Sequence, residues 1–116
     1  MLIPNATLAV VPPDKVNDYL LSPSHPVGRY KARWLLSLGY DRSRPQQLAD
    51  DLLTVVHSGT TFTTIESPFG VKYTVPGRIL TPSGMSVAVV TVWIAESIDP
   101  RPRLVTAYPG RRKSHE

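Results

Sequence analysis

Lys31 interrupts an apolar stripe. At about 100° per residue, Val27, Tyr30, Trp34, Leu35 and Leu38 fall on one helix face, and Lys31 falls within it while Arg29 and Arg33 lie opposite. A lysine is rarely buried without a partner. Either its stem covers the core edge and its ammonium reaches water, or the ammonium faces a bound anion. His25 stands six residues earlier, just before the same helix. Free backbone N–H groups and the positive end of the dipole make such a position a natural phosphate site. An imidazole there either caps the helix or passes protons near neutral pH. His57 and His115 read as structural or solvated.

Between Gly28 and Arg44 the bases Arg29, Lys31, Arg33, Arg42 and Arg44 stand against Asp41 alone, with Tyr30, Trp34 and Tyr40 interleaved. Bases mixed with aromatics suit nucleic acid, by phosphate pairing and base stacking. The wet face of an ordinary helix has a similar composition. A second set, Thr91, Trp93, Arg103, Thr106 and Tyr108, alternates polar with apolar toward the end of the chain. Arg103 is either a bidentate phosphate clamp or an exposed strand-end arginine. No His-x-x-x-His and no glycine-rich phosphate loop occurs in the sequence, and the acids are few and scattered. A metalloenzyme, a carboxylate-pair hydrolase and a dinucleotide enzyme are therefore disfavoured, and no metal site or cofactor is expected.

The elements that must position these residues divide into two regions. Pro12-Pro13-Asp14 reads as a helix start, since proline is tolerated in the first turn. It predicts a helix over 14–21 with Val16, Tyr19 and Leu20 inward. A connector rich in proline leads to a second helix over 26–38, which Gly39 closes with a left-handed cap. Ser43-x-Pro45 opens a third helix over 44–57, with Leu48, Leu52, Val55 and Val56 as its apolar stripe. The period then becomes alternating. Strands are expected at 60–67, 71–80, 85–96 and 103–108, separated by turns at Pro68-Phe69-Gly70, Thr81-Pro82-Ser83-Gly84 and Asp99-Pro100-Arg101-Pro102. Pro76-Gly77 marks a bulge or an edge, and 85–96, apolar on both faces, should be central. The fold class is α+β, with short N-terminal helices packed on one face of a four-stranded antiparallel meander.

A chain of 116 residues suits one domain, here 1–109, followed by a basic flexible tail at 110–116. Hydrophobic residues at 41% argue against disorder. The absence of cysteine excludes disulfides and thiolate metal sites and fits a reducing compartment. The N-terminus does not resemble a signal peptide, and the longest apolar stretch, Val87 to Ala95, is too short to cross a bilayer. A cytoplasmic protein without membrane attachment is expected. The formal net charge of +4 draws on a tail with three bases and one acid, so the folded part is only mildly basic.

Several segments together resemble a bacterial domain-of-unknown-function family of about this length, stand-alone and frequent in cyanobacteria. They are Ile3-Pro4-Asn5-Ala6, the run Asp18 to Ala32 with Ser24-His25-Pro26-Val27-Gly28-Arg29-Tyr30-Lys31, Pro68-Phe69-Gly70-Val71-Lys72-Tyr73, Thr81-Pro82-Ser83-Gly84, Thr91-Val92-Trp93-Ile94, and Pro102 to Pro109. The resemblance spans residues 3 to 109. It implies a layout like that of toxin–antitoxin pairs, with a small β-rich partner protein. More distantly, helices followed by a four-stranded antiparallel sheet are similar to the barnase, colicin and RelE-type ribonuclease fold. The histidine, lysine, arginine and threonine of the family pattern fall on His25, Lys31, Arg103 and Thr106.

Two functions follow. One is a metal-independent endoribonuclease toxin in which His25 is acid or base, Lys31 and Arg103 stabilise the phosphorane-like state, and Thr106 joins them. Arg29, Trp34, Thr91, Trp93 and Tyr108 would then hold RNA. The other is a non-catalytic binding module, either an antitoxin or immunity partner or a nucleic-acid-binding domain. The first requires the Lys31 ammonium to share a concave surface with His25 or Arg103.

Overall fold

A computed structural model describes residues 1–110; the tail at 111–116, with His115, lies outside the described residues. Pro13 occupies the first position of a short helix, α1 (Pro13–Lys15), which runs straight into a wider π-helical turn at Val16–Leu20. The Leu21 N–H closes that turn on the Val16 carbonyl at 2.8 Å. The continuous α-helix expected over 14–21 is thus replaced by two geometries. Widening inserts a residue into the ladder, and such turns concentrate at functional sites.

Helix α2 (Arg29–Ser37) begins three residues later than the sequence suggests. Gly28 explains the delay. A Cβ there would run into the Tyr19 carbonyl oxygen, so the chain before α2 is pressed against the π-turn. Gly39 ends the helix with φ at 99°, the left-handed conformation expected of it. The buried stripe of α2 is Ala32, Leu35 and Leu38, with Trp34 packed at its margin. Val27 and Tyr30, expected on the inner face, are 64% and 60% exposed. The small Ala32 side chain lets this helix settle rotated from the orientation that counting apolar residues implies.

Helix α3 (Pro45–Ser58) buries all four residues of its expected stripe and lies mainly on the second strand. Four antiparallel strands follow, β1 (Thr63–Ser67), β2 (Gly70–Leu80), β3 (Ser86–Glu96) and β4 (Asp99–Pro109), in the order of the sequence. The architecture is therefore α+β, three N-terminal helices with a four-stranded antiparallel meander, and β3 lies inside it. Pairing of β1 with β2 stops at Thr74, so Pro76 and Gly77 occupy a stretch where β2 is an edge.

The last strand departs most from expectation. Asp99 to Pro102 belong to β4, and the pairing with β3 shifts between Ile94 and Glu96, where the prolines are taken up. A second shift places Trp93 opposite Leu104 but Val92 opposite Thr106, leaving Val105 as an extra residue. On its outer side β4 is joined by Val10, which accepts from the Leu104 N–H at 3.0 Å and donates to the Pro102 carbonyl at 2.8 Å.

Trp93 is wholly buried, and its indole N–H donates to Thr91 Oγ1 at 2.7 Å. Thr91, also buried, donates onward to the Val75 carbonyl at 2.9 Å. Every polar atom of this core relay has a partner. Replacing Thr91→Val keeps the shape but orphans the indole N–H, and the threonine's bond to Val75 goes with it. The expected loss is about 1–3 kcal/mol for each buried group left unpaired. Urea unfolding of the variant and of wild type, with matched slopes, measures it.

Candidate functional site

Three segments that are distant in sequence meet at one ammonium. Lys31, on the first turn of α2, donates from Nζ to the Tyr19 hydroxyl at 2.7 Å and to Thr106 Oγ1 at 2.9 Å. Those two hydroxyls are themselves 3.1 Å apart, which closes a triangle. Tyr19 comes from the π-turn and Thr106 from β4, directly after the extra residue at Val105. A bulge of this kind re-aims the side chain that follows it. An ammonium has three donors, and two are satisfied by neutral oxygens. Among the described residues the ion pairs within 4.0 Å are Arg101–Asp99 and Arg103–Glu96, so no carboxylate neutralises Lys31.

Tyr19 is hemmed in by positive charge. The Lys31 and Lys15 ammonium nitrogens lie 5.2 and 5.4 Å from its ring centroid. Burial pushes its hydroxyl up, but the hydrogen bonds from Lys31 and Thr106 and the charges of Lys31 and Lys15 outweigh that, and the phenol sits below its ordinary value. The contrast is Tyr40. Burial, and then a 2.6 Å hydrogen bond to Asp51 with that carboxylate's charge, raise it far above the usual phenol range.

His25 packs edge-on against the Tyr19 ring, with centroids 5.1 Å apart and planes at 82°. Its Nδ1 accepts from the Val27 and Gly28 N–H groups at 3.0 and 2.8 Å. As acceptor of both, Nδ1 carries no proton, so the neutral ring holds its proton on Nε2. These two bonds match the capping reading. The imidazole ties down the turn into α2 while resting on the tyrosine that holds Lys31.

His25, Lys31 and Thr106 come together, and Arg103 does not join them. Its guanidinium donates to Glu96 Oε1 on β3 at 3.0 Å, and both side chains face solvent. Thr91 and Trp93 form the core relay and offer no surface to a ligand. Trp34 is half-buried against the core. Arg29 is exposed on α2, and Tyr108 lies exposed on β4 opposite Val90. Sequence reasoning assigned Tyr19 to the core and passed over its chemistry. The one signal was a phenol within an otherwise aliphatic stripe, since a partly buried hydroxyl needs a partner. A hollow of about 580 Å³ lined by Leu38, Arg78, Met85 and neighbouring residues includes none of the four cluster side chains. Among the described residues no three histidine, aspartate or glutamate side chains converge as a metal site would need, and no helix is long and apolar enough to cross a membrane.

A family profile described as a domain of unknown function, DUF6883, matches residues 2–111. No curated protein matches the sequence. Among solved structures, a chain from a contact-dependent growth inhibition toxin–immunity protein complex of Klebsiella pneumoniae 342 aligns with a TM-score of 0.70. The alignment covers 93% of this chain and 98% of that one at 16% identity, a likeness of fold.

Two measurements probe this geometry. In a titration followed by NMR of ring-labelled tyrosines, Tyr19 should lose its proton well before Tyr40, and Lys31→Met should move Tyr19 upward. Because folding lowers the Tyr19 value, its stabilising share grows as pH rises through the folded value and is complete above the unfolded one near ~10. In denaturant, His25→Ala should cost about 1 kcal/mol through the lost cap, whereas His25→Asn, which offers another acceptor, should recover part of it.

Proposed function

The chain belongs to the DUF6883 domain family, and from that premise we propose that it is a metal-independent endoribonuclease, the toxin of a toxin–immunity-like pair. The observation that carries this reading is the Lys31 ammonium, half-buried, held by the Tyr19 and Thr106 hydroxyls and without a carboxylate among the described residues. A site of that kind has a donor and a positive charge left for an anion, and a phosphate oxygen meets both.

RNA brings its own nucleophile. The 2′-oxygen bonds to the adjacent phosphorus and gives up its proton, the bond from phosphorus to the 5′-oxygen breaks, and water protonates the 5′-oxygen as it leaves. The products are a 2′,3′-cyclic phosphate and a 5′-hydroxyl. Lys31 donates its remaining N–H to a non-bridging oxygen and counters the charge that builds in the phosphorane-like state. In its phenolate form, which its two ammonium neighbours favour, Tyr19 takes the 2′ proton and becomes the phenol, and Thr106 donates its hydroxyl to that phenolate. His25 sets the tyrosine ring and offers its Nε2–H to the phosphate. The fold likeness to a chain from a complex of a toxin with its immunity protein supports a protein partner that binds this chain.

A second reading, a non-catalytic immunity or nucleic-acid-binding module, draws on the same histidine. Its Nδ1 is committed to two backbone N–H groups, as in a purely structural cap.

The deciding assay is purified protein with total tRNA or mRNA in EDTA, with product ends identified. Wild type should cleave and leave cyclic phosphates. Lys31→Ala should slow cleavage by about 10²–10³, the usual loss for one charge-stabilising donor. Tyr19→Phe and His25→Ala should slow it by roughly 10²–10⁴, while Arg103→Ala, removed from the cluster, should change little. Folded wild type that leaves RNA intact would transfer support to the binding module, and cleavage surviving the Lys31 and Tyr19 substitutions would place the site elsewhere.

A further inference from the structure

Beyond Lys31, the exposed arc of α2 carries a second arrangement. Turning away from Lys31 at about 100° per residue, the helix presents Tyr30 and then Arg33 and Arg29. The Arg29 guanidinium carbon stands 4.8 Å from the Tyr30 ring centroid and that of Arg33 stands 6.0 Å from it. Arg29 also donates from Nη2 to the Tyr30 hydroxyl at 3.0 Å. One phenol ring thus holds two guanidiniums, which limits their freedom while leaving most of their N–H edge available. Neither arginine has an ion-pair partner among the described residues, and α2 contains no acidic residue. Tyr30 and neighbouring Val27 remain more than half exposed, so the guanidiniums lie beside an uncovered apolar strip.

An isolated surface arginine is usually mobile and solvated. Two of them fixed on a shared ring, on the same helix as an unneutralised ammonium but across it, make a row of positive groups that leads round the helix by way of Tyr30. A row of that kind fits consecutive phosphates, and the apolar strip beside it fits sugar and base. A folded protein partner of acidic character would satisfy the charges but would have no use for their alignment with the phosphate at Lys31. We infer that Arg29, Tyr30 and Arg33 form a backbone-binding lane that continues from the Lys31 site, so that the ligand is a single RNA strand several nucleotides long. Arg29 and Arg33 contact phosphates further along the strand from the one at Lys31, past Tyr30, which is the positioning residue that holds both. The inference rests on the ribonuclease reading for its substrate, but its test does not require cleavage.

The probe is a short single-stranded oligoribonucleotide with every 2′-hydroxyl methylated, which cannot undergo the transesterification. Its affinity for the full chain is measured across a salt series. The paired substitution Arg29→Gln with Arg33→Gln should weaken binding and make the slope of log affinity against log salt shallower by about 1.4, two single-strand phosphates at ~0.7 each. Tyr30→Ala should weaken binding while leaving the slope near wild type, because the charges remain and only their placement is lost. Tyr30→Phe, which keeps the ring, should bind close to wild type. The same sequence as a duplex should bind more weakly than the single strand. An unchanged slope in the double-glutamine variant, equal affinity for duplex and single strand, or no wild-type binding would each overturn the lane. Binding that follows this pattern with no cleavage of the unmethylated strand would support the lane and overturn the nuclease.

Discussion

A half-buried ammonium must be satisfied, and in this chain the groups that satisfy Lys31 come from the π-turn and from the last strand. The constraint is unusual because all its partners are neutral. A carboxylate would have closed the site electrostatically. Two hydroxyls instead fix the position of the charge without cancelling it, and the proximity of Lys15 leaves the region around Tyr19 more positive still. Neutral donors and acceptors that hold a charge in place are what a preorganised anion site requires, since the charge then need not reorganise when the ligand arrives.

The rest of the structure can be traced from that requirement. Tyr19 reaches Lys31 because the π-turn widens the helix and because Gly28 allows the chain before α2 to lie against the Tyr19 carbonyl. His25 fastens the same junction from the other side, through two backbone N–H groups. Thr106 arrives through the extra residue at Val105, in a strand kept in place by Val10 on one side and β3 on the other. Behind these irregular pieces stands a regular platform, α3 on β2 and β3 with the Trp93–Thr91–Val75 relay inside it. The irregularity is concentrated where the polar groups converge. Departures from local rules are expected at such places, provided the scaffold over-determines them.

That division also explains what the sequence could and could not disclose. Helix α3, the strand order and the left-handed glycine after α2 follow from periodicity and turn chemistry, which are local properties. Lys31 and His25 stand out because each breaks a local pattern. Thr106 entered as one member of an alternating polar set, and only the resemblance singled it out within that set. Arg103 entered from the same set as a possible clamp, and its ion-pair partner, Glu96, lies seven residues back across a hairpin whose register shifts twice. Tyr19 was hidden for a different reason. Its place in the stripe of the first helix suits a core aromatic, and only the three-dimensional meeting with Lys31 and Thr106 shows what its hydroxyl binds. Trp93 shows the reverse case, in which an indole that suits base stacking spends its N–H on Thr91 in the core.

Lys31 and His25 each presented a structural and a functional reading, and the contacts they make bear on the structural one. The lysine is half-buried, and its ammonium donates to two protein hydroxyls. The histidine does cap a turn, yet the turn it caps carries the lysine, and its ring supports the tyrosine. A cap used in this way transmits its rigidity directly to the charge. In a domain this small, with α2 only Arg29–Ser37 in length, the first turn of that helix has little packing of its own to hold it. The groups that stabilise the turn and the groups of the proposed anion site are therefore drawn from the same few residues. Substitutions there act on folding as well as on the proposed site, and the conservative replacements, which keep one role and remove the other, are the ones that separate them.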